Sequence, residues 1–281
     1  MFSDALLERI HKALQGQRRI SFLVGAGLSA ESGIPTFRGE DGFWTLGSKN
    51  YQPEEIGTKA MFDVNANAVW EWFLFRISMM RTAKPNVGHQ ALVDMQELLG
   101  DRYALISQNV DGLHFKVGSD ERRLYLIHGD LRFMRCSEEC TKGLYPIPVD
   151  LVNKERTRAT RLTCEESRLL VCPACGEMTR PHVLWFDERY NQVFYKLHDV
   201  LRIAKKTGLL FIVGTSGATN LPRSIVENTL SRQGVVVDIN PNENYFSEKL
   251  RSKKNGFWIQ EKSGIVLPKL VEIIQNQMNW Q

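Results

Sequence analysis

Residues 20–38 read Ile20-Ser21-Phe22-Leu23-Val24-Gly25-Ala26-Gly27-Leu28-Ser29-Ala30-Glu31-Ser32-Gly33-Ile34-Pro35-Thr36-Phe37-Arg38. The apolar run at the start predicts a short buried β-strand, and the closely spaced glycines predict a tight turn into a helix. Because glycine has no Cβ, such a turn lets backbone N–H groups approach a phosphate. We therefore expect a dinucleotide ligand, although an ordinary strand-to-helix turn explains the glycines alone equally well.

The residues after the glycines distinguish this turn from the common dinucleotide fingerprint. Five residues separate Gly27 from Gly33, whereas Gly-x-Gly-x-x-Gly has two at that place. No acidic residue ends the next strand about 20 residues further on, which argues against a dehydrogenase. Pro35 stiffens the chain, and Phe37 and Arg38 add an aromatic face and a fixed cation beside the expected pyrophosphate.

Composition is that of an ordinary globular protein. The 281 residues are 43% hydrophobic and 24% charged, which favours one large domain with a small insert. A formal net charge of +4 does not suggest a dedicated nucleic-acid binder. No apolar run reaches the ~18 residues of a membrane span, and residues 1–15 have the apolar spacing of an amphipathic helix rather than a signal peptide. We expect a cytoplasmic protein without membrane contact.

Five short apolar runs predict parallel strands, and the longer intervals between several of them have helical character. Together they predict an α/β fold with a doubly wound, Rossmann-like parallel sheet. Two stretches interrupt the pattern, one rich in aromatics and one holding every cysteine. The strands are predicted at 20–24, 103–107, 124–127, 209–213 and 235–239; the dinucleotide-binding domain at 1–43, 86–132 and 181–281, the helical module at 44–85 and the zinc-binding module at 133–180.

The cysteines form two short pairs and one remainder. Cys136 and Cys140 have three residues between them, and Cys172 and Cys175 have two. Such pairs supply four thiolates to a tetrahedral zinc, and the proline and glycine around the second pair permit the required turn. Disulfides or a redox pair are the competing interpretations. Cys164 is expected to be a free buried thiol, with replacement of Cys140 as the alternative.

Polar side chains follow the predicted strands at their carboxyl ends, where α/β sheets bind ligands. Gln108, Asn109 and Asp111 follow the second strand and offer the donors and acceptors that a carboxamide needs, although a simple turn also fits them. His128, followed by a glycine, ends the next strand and is well placed as a general base. Later strands end in Gly214-Thr215-Ser216 and in Asn240-Pro241, which a helix N-cap and a turn would also explain.

These elements, in this order, resemble the sirtuins, the Sir2 family of NAD-dependent protein deacylases. The resemblance runs from residue 20 to about residue 241 and covers nearly the whole chain. It implies NAD+ as co-substrate, one structural Zn2+, acyl-lysine proteins as substrates, and nicotinamide and O-acyl-ADP-ribose as products. In the implied chemistry the acyl oxygen attacks the nicotinamide ribose as nicotinamide leaves, and a histidine then activates a ribose hydroxyl.

The resemblance also implies roles for individual residues. His128 would be the general base and Asn109 its catalytic companion, with Asn109, Asp111 and Gln108 holding the nicotinamide ribose and carboxamide. The other cofactor-binding residues would be Gly25, Ala26, Gly27, Ser29, Phe37, Arg38, Gly214, Thr215, Ser216 and Asn240; the substrate-binding residues Phe73, Arg76, Val183 and Phe186; and the zinc ligands Cys136, Cys140, Cys172 and Cys175.

Departures from the family pattern bear on substrate choice. Asp187 stands where sirtuins usually have the glycine of Phe-Gly-Glu, which either selects basic flanking residues or marks weak peptide binding. Glu261 occupies another usual glycine position. Phe73 and Arg76 align with the Tyr-x-x-Arg of desuccinylase-type sirtuins, so Arg76 can still pair with an acidic acyl group. A solvated arginine on an aromatic helix is the alternative.

Two other functions stay open. A mono-ADP-ribosyltransferase or NAD hydrolase would use the same pocket, and the presence of His128 favours deacylation over both. A non-catalytic NAD-sensing module would have no need of that histidine.

Overall fold

The computed structural model describes residues 1–36 and 52–279. Phe37 and Arg38, predicted to bind the cofactor, lie outside the described residues. Its strands are β1 (Arg19–Val24), β2 (Tyr103–Ser107), β3 (Leu124–Leu126), β4 (Gly129–Cys136), β5 (Tyr145–Pro146), β6 (Thr179–Val183), β7 (Thr207–Val213), β8 (Val235–Ile239) and β9 (Gly256–Ile259). Its helices are α1 (Asp4–Gln15), α2 (Ala26–Ala30), α3 (Pro53–Ile56), α4 (Lys59–Met80), α5 (Val87–Leu99), α6 (Leu113–Lys116), α7 (Val149–Val152), α8 (Cys164–Arg168), α9 (Gln192–Tyr195), α10 (Leu197–Lys206), α11 (Asn220–Ser231), α12 (Tyr245–Leu250) and α13 (Ser263–Asn279).

The large sheet has six strands in the order β3-β2-β1-β7-β8-β9, and every neighbouring pair is parallel. This order reverses direction between β1 and β7, as in a doubly wound sheet, so the predicted fold class is confirmed. The reversal leaves a crevice at the carboxyl ends of these two central strands, and ligands bind there in open α/β sheets.

Successive side chains of the strands point to opposite faces of the sheet, and both faces are packed against helices. Phe22 and Val24 face a core shared with α1, α5 and α13, whereas Leu23 faces a second core formed with α10, α11 and α12. Because both faces are covered, the strands are continuous apolar runs instead of alternating ones. The buried positions Leu6, Ile10 and Leu14 confirm the amphipathic α1.

A second sheet of three strands, in the order β5-β4-β6, is antiparallel. It packs with α4 and α7 around one common core, which includes Trp70 and Phe73 from the predicted helical module and Met134 and Leu170 from the predicted zinc module. The two inserted segments therefore share their hydrophobic core. The division into three domains stays a prediction.

Helix α4 changes direction at Asn65, whose φ of −152° and ψ of 76° are not helical. The Asn65 side chain accepts a hydrogen bond from the Ala68 amide at 3.1 Å, and it thus caps the second half of the helix. That half carries Trp72, Phe73 and Arg76, which are all buried. Among residues 1–36 and 52–279, no helix has both the length and the apolar character that a bilayer crossing requires.

Candidate functional site

A cleft of about 970 Å³ opens at the carboxyl edge of the large sheet, between the ends of its central strands and the second half of α4. It is the place where the strand order predicts a ligand. The predicted site residues that line it are Gly25, Ala26, Gly27, Phe73, Arg76, Gln108, Asn109, His128, Val183, Phe186, Gly214, Thr215, Ser216 and Asn240. The structure therefore brings most of the predicted residues to one cavity.

The glycine turn after β1 packs directly on the turn after β7. A Cβ on Gly27 would lie 2.6 Å from the Cα of Gly214, so a side chain at residue 27 does not fit. The amide of Gly27 donates to the Gly214 carbonyl at 2.8 Å, and the amide of Gly25 donates to the Val213 carbonyl at 2.9 Å. These two N–H groups are used in the contact between the turns. The Ala26 amide is therefore the N–H group of this turn that is suited to a phosphate.

Asn109, Ser29 and Asp111 form one hydrogen-bonded group beneath the cleft. The Asn109 amide nitrogen donates to the Gly25 carbonyl at 3.0 Å and to Ser29 Oγ at 3.1 Å, while Ser29 Oγ donates to Asp111 Oδ2 at 2.7 Å. Both amide hydrogens of Asn109 are thereby committed, and its oxygen is the atom suited to a ligand. Burial raises the pKa of Asp111, against hydrogen bonds from Leu113 and Ser29 that lower it.

Gln108 joins the ends of β2 and β7. Its side-chain nitrogen donates to Thr215 Oγ1 at 2.8 Å, and its side-chain oxygen accepts from Thr219 Oγ1 at 3.4 Å. Asn240 continues this group by donating to the Thr215 carbonyl at 3.3 Å. The Gln108 side chain is therefore engaged within the protein, and its predicted contact with a carboxamide stays a prediction.

His128 lies between β3 and β4 and is fixed from both sides of its ring. Its Nδ1 is 3.1 Å from the Gln108 carbonyl oxygen, and its Nε2 is 2.8 Å from the Tyr190 hydroxyl. Gly129 has a φ of +89°, and a Cβ there would lie 2.1 Å from the His182 carbonyl oxygen. Only glycine permits this turn next to the histidine.

Burial keeps His128 in its neutral form. Burial lowers its pKa to about 4, against the Gln108 carbonyl, which raises it. The imidazole is thus neutral at neutral pH and can accept a proton at the nitrogen that carries the lone pair.

The far end of the cleft is apolar and carries one buried cation. Phe73 and Arg76 are 1% and 3% exposed, and the guanidinium carbon of Arg76 lies 4.8 Å from the centre of the Trp72 ring. Burial lowers the pKa of Arg76 to about 10, so it stays charged at neutral pH. The alternative of a solvated arginine is wrong, because Arg76 lies inside the protein.

Residues 186–188 attach the site to the segment before α4. The Phe186 amide donates to the Gly57 carbonyl at 3.0 Å. The two carboxylate oxygens of Asp187 accept from the amides of Lys59 and Ala60, at 2.8 and 3.1 Å. These amides belong to the first turn of α4, where the helix itself offers no acceptors for backbone N–H groups. Asp187 therefore caps helix α4, although it belongs to a different segment of the chain.

The four predicted zinc ligands lie together. The Sγ atoms of Cys136, Cys140, Cys172 and Cys175 all lie within 4.8 Å of one another, and both the Cys136–Cys175 and the Cys140–Cys172 separations are 3.6 Å. Sulfurs at 2.3 Å from a tetrahedral zinc are roughly 3.8 Å apart, whereas a disulfide requires about 2.05 Å. The spacing fits one structural zinc, and the Ala174 amide helps by lowering the pKa of Cys172.

Cys164 differs from its prediction. It is exposed at the start of α8 and is not one of the clustered thiols. Thr163 caps this short helix by accepting from the Glu166 amide, and Cys164 is the first residue of the helix. Cys164 is neither a buried thiol nor a substitute for Cys140.

Tyr190 is a site residue that the sequence analysis missed. It lines the cleft and contacts His128 through its hydroxyl. Its position two residues after the Phe186-Asp187-Glu188 segment was the available signal, but a single tyrosine in a loop has no pattern of its own.

Comparisons with known proteins agree with this geometry. The family model described as the Sir2 family matches residues 25–220. A protein of Leptospira interrogans (serogroup Icterohaemorrhagiae, serovar copenhageni) named NAD-dependent protein deacylase is 36% identical over 267 residues, which cover 92% of this chain and 94% of that protein. A protein of the same name from Pyrococcus abyssi is 33% identical and covers 96% and 98%.

Solved structures agree as well. A mutant Sir2 homologue in complex with ADP-ribose superposes with a TM-score of 0.79 at 30% identity, over 98% of both chains. A Sir2 homologue in complex with NAD gives a TM-score of 0.76 at 30% identity, over 96% of this chain and 94% of the other.

Proposed function

The chain belongs to the Sir2 family, and from this membership we propose that it is an NAD-dependent protein-lysine deacylase. It would remove acyl groups from lysine side chains and release nicotinamide and O-acyl-ADP-ribose. The observation that carries the proposal is the neutral His128, which lines the same cleft as the glycine turn and the apolar end around Phe73.

Each part of the cleft suits one part of the reaction. Bound NAD would supply the leaving nicotinamide and the ribose that accepts the acyl group. Ala26, with the turns at Gly25 and Gly214, suits the phosphates, and the Asn109 oxygen suits the nicotinamide ribose. Asp111, through Ser29, adds negative charge close to the centre where positive charge develops. His128 is the general base, and its Nε2 is protonated when the attacking hydroxyl loses its proton.

The apolar end suits the acylated lysine. Phe73, Val183 and Phe186 would enclose its methylene chain and keep water from the reaction centre. Arg76, buried and charged, would pair with a carboxylate at the end of an acidic acyl group. We therefore propose activity on both acetyl-lysine and succinyl-lysine.

The zinc would have no part in the chemistry. Four thiolates fill its coordination, so it has no open position for substrate and acts by holding the β4–β6 region together. Four reduced thiols also suit a reducing compartment, and we accordingly propose that the protein works in the cytoplasm.

The test is a comparison of wild type with His128→Ala, using acetyl-lysine peptides and NAD. We expect the variant to bind NAD and to lose at least ~10²-fold in deacylation, the scale of a lost general base. His198→Ala is the matched control, because His198 is exposed on α10, away from the residues that line the cleft. Near-normal turnover in His128→Ala, or NAD consumption without O-acyl-ADP-ribose, would contradict the proposal and point to a transferase or hydrolase.

A further inference from the structure

The nitrogen of His128 that faces the cleft already has a partner. The Tyr190 hydroxyl lies 2.8 Å from Nε2, and the two rings are 5.8 Å apart at an interplanar angle of 30°. Both residues line the same cavity. The hydroxyl is thus placed on the atom that has to accept a proton.

The second ring nitrogen fixes the direction of this hydrogen bond. A carbonyl oxygen can only accept, so His128 Nδ1, at 3.1 Å from the Gln108 carbonyl, carries the hydrogen. In the neutral ring the lone pair is then on Nε2, and Tyr190 donates to it. A single lone pair accepts one hydrogen bond, so another hydroxyl reaches Nε2 only by displacing Tyr190 or by acting through it.

Tyr190 is held in place on its other sides. Its ring packs partly buried against the core beneath α10 and α11. Burial raises its pKa to about 12. The phenol therefore stays neutral, and a neutral phenol donates one proton while its oxygen accepts another.

We propose that Tyr190 is a proton relay to His128. In the acyl-transfer step its oxygen takes the proton of the attacking substrate hydroxyl while its own proton passes to His128 Nε2. The substrate oxygen, freed of its proton, forms the new bond to the acyl carbon as the C=N bond of that carbon opens and its electron pair moves to the lysine nitrogen. Two protons move together, Tyr190 ends neutral and His128 ends as imidazolium, so the net transfer is one proton from substrate to His128 and no further reactant is required. This inference rests on the proposed deacylase function.

The first test needs neither NAD nor activity. In protein labelled with 15N-histidine, NMR should show His128 protonated at Nδ1, with Nε2 shifted by an accepted hydrogen bond. Tyr190→Phe should move the Nε2 resonance to that of a free lone pair. Tyr195→Phe is the matched control, because Tyr195 stacks on His182 instead. Identical Nε2 resonances in wild type and Tyr190→Phe would overturn the relay.

The second test separates the two halves of the reaction. Tyr190→Phe should slow formation of O-acyl-ADP-ribose by about 10²-fold and leave nicotinamide exchange unchanged, because only the later half moves the proton. When the wild-type rate is measured in mixtures of H2O and D2O, its dependence on the deuterium fraction should be that of a step in which two protons move.

Each outcome of the second test is decisive. An undiminished rate in Tyr190→Phe overturns the relay, and so does an equal loss of exchange and product formation, which would mark a structural role. If wild type itself shows no NAD-dependent deacylation, the proposed function fails, whereas the NMR experiment still reports on the hydrogen bond. If Tyr190→Phe does not fold, a wild-type rate that depends on a single proton overturns the relay.

Discussion

Replacement of Asp187 by glycine tests how the cleft is attached to helix α4. In the structure both oxygens of this carboxylate accept from backbone amides, those of Lys59 and Ala60. Loss of such a cap costs about 1 kcal/mol, and loss of a negative charge at a helix N-terminus costs ~0.3–1 kcal/mol. The two effects together make about 1–2 kcal/mol, which corresponds to a 5–30-fold increase in opening of this helix end.

Amide hydrogen exchange measures that opening directly. Lys59 and Ala60 should exchange 5–30-fold faster in Asp187→Gly, with Asp187→Asn in between because it keeps one acceptor. Met61, whose amide is bonded to Thr58 Oγ1 at 3.0 Å, is the internal reference. Asp63→Asn is the matched control, since it removes a charge from the same helix whose partner is the Lys59 ammonium and not the amides of Lys59 and Ala60.

Unchanged exchange at Lys59 and Ala60 in Asp187→Gly would refute the reasoning. The geometry also bears on peptide choice. Because both carboxylate oxygens of Asp187 are engaged with the helix, we expect Asp187→Asn to leave the ranking of peptides with basic flanking residues unchanged.

Three further changes are predicted. Arg76→Met should lower succinyl-lysine activity several-fold and spare acetyl-lysine activity in the same peptide, since only the former has a carboxylate to lose; a parallel fall of both would show that Arg76 acts through packing. Cys172→Ser should lose zinc by metal analysis and unfold the β4–β6 region, because structural zinc contributes to folding, whereas Cys164→Ser should keep a full equivalent; equal losses would contradict the ligand set. Burial raises the pKa of Asp238 to about 7, so folding favours the protonated form of this side chain. Its contribution to the free energy of unfolding is fully present below about pH 4, the ordinary pKa of an aspartate, and is lost as the pH rises towards 7. Asp238→Asn should therefore raise the melting temperature more at pH 8 than at pH 5, and parallel curves of melting temperature against pH would contradict this assignment.

The large sheet was predictable because its strands are buried on both faces. The runs at β2 and β8 were predicted with their observed ends, and β1 and β7 differ only at their first residues. The edge strand β9 was missed, since Phe257 and Trp258 are only half-buried and no continuous apolar run marks it. The predicted strand at 124–127 ends one residue earlier, at Leu126.

The antiparallel sheet escaped prediction for a different reason. Its strands β4 and β6 carry Arg135 and Arg180 at buried positions, 2% and 1% exposed. Arg135 pairs with Glu139 at 2.7 Å, and both arginines lie close to Glu188; these ion pairs make the buried arginines possible. Charged residues at buried positions break the hydrophobic pattern, so the apolar runs of the sequence could not reveal these strands.

Within the site, residue types were predictable and contacts were not. Spacing alone identified the cysteine cluster, because metal ligands must come in short pairs. Spacing could not show that the Gly27 amide donates to the Gly214 carbonyl, or that Tyr190 forms a hydrogen bond with His128, 62 positions away in the sequence. Such contacts depend on the packing of separate strand ends.

Strand β4 runs without a break from the residue after His128 to the metal ligand Cys136, a span of at most roughly 26 Å. A compound that ejects the zinc would thus disturb the base from a distance, without occupying the cleft. In an inhibitor screen, chelators and thiol-reactive compounds should reduce the maximal rate, and neither more NAD nor more peptide should relieve them. Such hits would imitate inhibitors of a catalytic metal, and zinc release measured beside activity would identify them.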